Sequence, residues 1–127
     1  MLEACLFDYA VIRVVPRVER DEFINVGVIL SCPSQKFLEA RIETDIHKLE
    51  AFAPSLEPET IRYYLDTIPK ICAGEKAAGA IARLPQRARF YWLTAQRSTI
   101  IQCSPVHTGF CFDASEMLEH LLNKMVR

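Results

Sequence analysis

The chain has 127 residues, half of them apolar, and balances 15 Lys and Arg against 16 Asp and Glu for a net charge of −1. That length suits a single domain, residues 1–127, with a core of its own. The charge balance excludes a molecule-wide pull on nucleic acid, and no run approaches the ~18 apolar residues that a membrane span requires.

The first element is expected at Cys5–Val15, apolar on both faces except at Asp8 and Arg13. Such a run reads as a central strand, and Pro16 closes it because proline cannot donate to a ladder. A charged turn, Arg17–Asp21, leads into a second strand, Glu22–Cys32. Its even positions, Ile24, Val26, Val28, Leu30 and Cys32, form an apolar face of period two. On its odd face Asn25 and Gly27 leave room for another backbone or a ligand to come close. A third strand, Phe37–Thr44, alternates Leu38, Ala40 and Ile42 inward with Glu39, Arg41 and Glu43 outward. The links are too short for parallel crossovers, so the three strands form an antiparallel meander.

The period then changes to that of a helix. Asp45 caps a short segment that Pro54 stops. A longer helix starts near Ser55–Pro58 with Ile61, Leu65 and Ile68 on one face; Pro69 is expected to kink or shorten it, and Gly74 to end it. Lys76–Leu84 reads as a short helix or loop, Pro85–Arg89 as a basic connector, and Phe90–Leu93 as an aromatic cluster. Ser98–Ser104 is rich in β-branched residues and reads as a fourth strand. The loop Val106–Gly109 follows. Asp113 and Glu116 then form an Asp-x-x-Glu capping box for a last helix whose stripe is Met117, Leu118, Leu121, Leu122 and Met125. The fold class is therefore α+β: an antiparallel sheet of about four strands, the meander plus a later strand, with helices packed on one face.

Catalytic signatures are missing. There is no G-x-S-x-G, P-loop, H-E-x-x-H or G-x-G-x-x-G, so no catalytic residue and no cofactor is expected. Asp21 and Glu22 are adjacent and would point to opposite faces of a strand, and no metal is expected. The five cysteines, Cys5, Cys32, Cys72, Cys103 and Cys111, are odd in number and widely spaced, as in thiols of a reducing compartment. No basic leader followed by an apolar segment appears, and the expected location is the cytoplasm, with no membrane partner.

A polar set remains. The hairpin supplies Arg13, Glu22 and Asn25; the approach to the fourth strand supplies Arg97, Ser98 and Thr99; the loop after it supplies Ser104, His107 and Thr108. From Lys76 to Phe112 there are five Lys and Arg residues and no acid. Guanidinium groups bind anions through paired hydrogen bonds, and His107 changes charge near neutral pH, so the set is a candidate anion or ligand site. Gly27 and Gly109 would permit close backbone approach to it. In the competing structural reading, Arg13 pairs with Asp8 or Glu22, and the hydroxyls satisfy loop backbone. Phe90–Trp92 among Arg87, Arg89 and Arg97 would also suit single-stranded nucleic acid, although consecutive aromatics more often serve a core.

The runs Tyr9–Pro16, Glu22–Leu30, Trp92–Gln102 and Ser104–Gly109 resemble the bacterial family known as domain of unknown function 3037, with Gln96 and Cys103 where that family's pattern has proline. The resemblance spans nearly the whole chain. It implies a non-catalytic accessory or protein-interaction module, since genes of the family often stand beside one for a kinase-fold protein resembling HipA, and such a kinase is the implied partner. The alternative is a small enzyme or binding protein for a phosphorylated ligand or nucleic acid, built on Arg13, Arg97 and His107.

Overall fold

A computed structural model of the chain describes residues 3–97 and 99–127. Its elements are β1 (Cys5–Val14), β2 (Ile24–Cys32), β3 (Phe37–Ile42), α1 (Ile46–Phe52), α2 (Pro58–Ala73), α3 (Gln86–Thr94), β4 (Ile101–Cys103), β5 (His107–Cys111) and α4 (Ala114–Met125). Short 3-10 turns at Val18–Arg20, Pro33–Gln35, Lys76–Ala78 and Ile81–Arg83 join them. All strand pairs are antiparallel, in the order β3-β2-β1, and both β4 and β5 pair with the far side of β1. The expected meander and the α+β class are both present.

Two layers of side chains sandwich the sheet. On the front, Ala10, Ile12 and Val14 of β1 join Ile29, Leu38 and Ala40 against Leu49 of α1, Ile61 and Leu65 of α2, and Phe90 of α3. On the back, Phe7, Val28, Leu30 and Cys32 pack against Leu118, Leu121 and Leu122 of α4. The expectation that all helices share one face is corrected accordingly: α4 takes the opposite side. The reason lies in β1 and β2, whose alternate positions are apolar on both faces and so require two covers.

The single apolar face expected for β2 is also corrected. The register slips between Ile12 and Arg13, which pair with Gly27 and Asn25 respectively. This bulge turns the strand over. Val26 and Ile24 therefore join the front layer, while Val28, Leu30 and Cys32 stay at the back.

Three further details differ from the sequence reading. The connector and aromatic cluster form one helix, α3, started by Pro85. The expected loop Val106–Gly109 is largely β5. α2 runs through Pro69 to Ala73, so the proline does not shorten it. Gly74 ends α2 in the left-handed conformation, φ 73°, as its position implies. The helix end is held by Arg89, which donates to the carbonyls of Ile71 (3.1 Å) and Cys72 (2.7 Å). α4 starts on the Asp113 carboxylate, which accepts from the Glu116 N–H at 3.1 Å. Its middle is tied to β3 by Arg41–Glu119 at 2.8 Å, and Arg127, just past its C-terminal end, pairs with Glu43 next to β3 and with Glu119. No helix among the described residues is long and apolar enough to cross a membrane.

Candidate functional site

Arg13, Asn25, Ser104, His107 and Thr108 lie on β1 or bond directly to it, but not in one cradle. Arg13 lies on β1 in register with Asn25 on one side and Gln102 on the other. Its guanidinium stacks over the Phe23 ring, 4.0 Å from the centroid. Neither expected carboxylate holds it: Asp8 is taken by Arg87, and Glu22 pairs with Arg20 at 3.0 Å. Asn25 donates to the Met125 carbonyl of α4 at 3.0 Å. The Nε of Arg13 and the Oδ1 of Asn25 are buried without a hydrogen-bond partner among the described residues. One is a donor and the other an acceptor, on neighbouring cross-strand positions.

The residues around β4 and β5 serve several local purposes. Ser104 stands at the break between these two strands and repairs the ladder there. Its N–H donates to the Val11 carbonyl (2.8 Å) while its Oγ accepts from the Val11 N–H (2.8 Å). Thr99 closes a turn on the Ile101 carbonyl. His107 is exposed, with its ring 5.4 Å from that of Tyr9. Gly109 accommodates the Phe7 ring, which a Cβ would approach to 2.9 Å, and Gly27 accommodates the β3 backbone at Arg41. The space expected beside Gly27 is therefore filled by the chain itself. Ser98 lies outside the described residues.

A polar cluster absent from the sequence reading sits on the front face. Asp8 accepts from Thr108 at 2.6 Å and pairs with Arg87, which also reaches Ser31 (2.9 Å) and the Tyr91 hydroxyl (3.2 Å). Burial alone would raise the Asp8 pKa, but the Thr108 bond and the Arg87 guanidinium outweigh it and hold the carboxyl below its ordinary value. With Arg89 capping α2, two of the arginines in the acid-free stretch are spent inside the fold. The signal for this was Asp8 itself, a lone acid in an apolar strand that needed a partner.

Arg97 remains exposed. Its guanidinium lies 4.3 Å from the Trp92 ring centroid and donates to the Trp92 carbonyl. It lines a cleft of about 560 Å³ between α2, the end of α3 and β4. Arg13, Asn25 and His107 do not line this cleft, and Asn25 instead borders a second groove of about 570 Å³ beside Glu43, Arg62 and Arg127. In the first cleft the Cys103 thiol is pushed up to about 11 by burial, partly offset by Arg97 and Arg13. It is therefore a neutral wall rather than a nucleophile at neutral pH.

The last feature is the sheet edge. Among the described residues β5 pairs with β1 alone. No Asp, Glu, Lys or Arg occurs from residue 98 to residue 112. Phe110 is 69 % exposed, Phe112 61 %, and Leu6, the cross-strand partner of Phe110, 51 %. The alternation of Phe110 and Phe112 about Cys111 was the available sign of this strand.

No curated protein and no solved structure matches the chain. One family model does, that described as protein of unknown function (DUF3037), over residues 9–126. That span takes in the sheet except for residues 5–8 of β1, the helices α1 to α4 and every residue of the expected polar set, and the chain belongs to this family.

Proposed function

We propose that this domain is a non-catalytic accessory module that docks a protein partner by strand addition along β5. The observation that carries the reading is the unguarded edge. Sheet edges in soluble proteins are ordinarily blunted by charge, proline or a covering element. The opposite edge, β3, follows that rule, with Glu39 and Arg41 on the strand and Arg41 bound to Glu119. β5 has no charged residue, and Leu6, Phe110 and Phe112 are exposed beside it. An uncharged, extended, apolar segment is the partner chemistry that fits, because main-chain hydrogen bonds and alternate side-chain contacts then add together.

The HipA-like kinase implied by the family resemblance is the candidate owner of that segment, in a bacterial cytoplasm where the five thiols would stay reduced. A phosphorylated-ligand or nucleic-acid site has less support, since Arg13, Arg97 and His107 stand on different elements with different neighbours. The test is titration calorimetry against the purified kinase. Wild type binds, and Phe110→Lys weakens binding at least about tenfold, the order expected when a charge enters an apolar contact. Equal binding by the variant contradicts the reading. A wild-type homodimer that Phe110→Lys dissolves would assign the edge to a second copy of the chain.

A further inference from the structure

The cleft beside Arg97 supports a second, independent assignment. Its volume of about 560 Å³ falls within the range of about 300–1,000 Å³ typical of small-molecule sites. Ile61, Tyr64 and Ile68 of α2 form one wall, Trp92 the end, and Ile100 and Ile101 the other wall. Among the described residues no acidic side chain lines it, and Arg97 is its one cation. Among the described residues no carboxylate pairs with Arg97, and its one hydrogen bond goes to the Trp92 carbonyl. A guanidinium carries five N–H donors, so donors remain for an incoming anion. Cation–π contact with the Trp92 ring, 4.3 Å from its centroid, restrains the guanidinium, which reduces the ordering cost of binding.

We infer that this cleft binds a small amphipathic monocarboxylate, with the apolar body between α2 and β4 and the carboxylate on Arg97. One fixed cation above an otherwise neutral apolar cavity matches one negative charge on an apolar chain. A polyanion would leave charge unpaired, and an amine would meet like charge. This assignment does not depend on strand addition at β5, which lies outside the cleft lining.

Trp92 is the only tryptophan in the chain, and its position in the cleft makes it a built-in reporter. The experiment is a fluorescence titration of the full chain with decanoate and with decanol, both below their aggregation limits. Wild type should give a saturable change with decanoate and bind it at least about tenfold more tightly than decanol, as a charge-assisted hydrogen bond implies. Arg97→Gln should erase that preference while keeping the decanol affinity within about twofold, since the apolar walls are untouched. Thr67→Phe, which fills the cavity from α2, should abolish both. The inference is overturned if wild type binds decanol as well as decanoate, if Arg97→Gln keeps the preference, or if Thr67→Phe binds like wild type. Should Arg97→Gln fail to melt cooperatively, the wild-type preference and Thr67→Phe still decide between these results.

Discussion

Gly27 shows how one residue fixes a neighbouring strand. A Cβ there would lie 2.6 Å from the Arg41 carbonyl oxygen and 2.9 Å from Cδ1 of Ile42. The first contact is backbone, so it cannot be relieved by rotating a side chain. Gly27→Ala should cost about 1–3 kcal/mol, the scale of overpacking in a close-packed interior, read as a lower urea midpoint with unchanged slope. An unchanged midpoint would mean that β2 and β3 are not so close. Asp8 gives a pH-dependent counterpart. Its folded pKa is depressed by Thr108 and Arg87 against the opposing effect of burial. Its ionised form therefore adds stability above the unfolded value of about 4, and that stability is lost as pH falls through the folded value. Asp8→Asn should cost about 1–3 kcal/mol at pH 7, and that cost should shrink as the pH falls below about 4. A gap that stays constant across that range would show that Asp8 carries no charge-dependent contact.

At the scale of elements, sequence legibility followed the strength of the local pattern. β3, α2 and α4 were readable because a single period, two or 3.6, ran through each of them, and β1 as a continuous apolar run closed by Pro16; Asp113 and Gly74 marked the ends of the two helices. The turn-over within β2 was not readable. Its even residues alternate cleanly, and only the slip opposite Ile12 and Arg13 divides them between two faces. α3 was hidden because Arg87 and Arg89 resembled a basic connector, while their use is internal: one pairs with Asp8, the other closes α2. The site was legible as a list of residue types and not as a constellation. Arg13 and Asn25 are in register as a hairpin suggests, but the return of the chain after α3 depends on long-range packing. Arg97 is consequently held by Trp92 and, among the described residues, bonds neither of them.

For the whole molecule, the two-sided sheet leaves the apolar residues Leu6, Phe110 and Phe112 at β5 outside its helical cover. α1, α2 and α3 cover the front, α4 covers the back, and the ion pairs of Arg41 and Arg127 secure α4 to β3. Cover on the front reaches Asp8 through Arg87 of α3, and the next front-face pair, Leu6 and Phe110, lies beyond it. The unguarded strand and the uncovered apolar pair thus occur together, as strand addition requires. Amide hydrogen exchange of the domain, alone and with the HipA-like kinase, tests this most directly. Strand addition predicts increased protection across His107–Cys111, where new main-chain hydrogen bonds would form, and little change in β3. Protection confined to α2 and α3, with β5 exchanging as in the free domain, would contradict it.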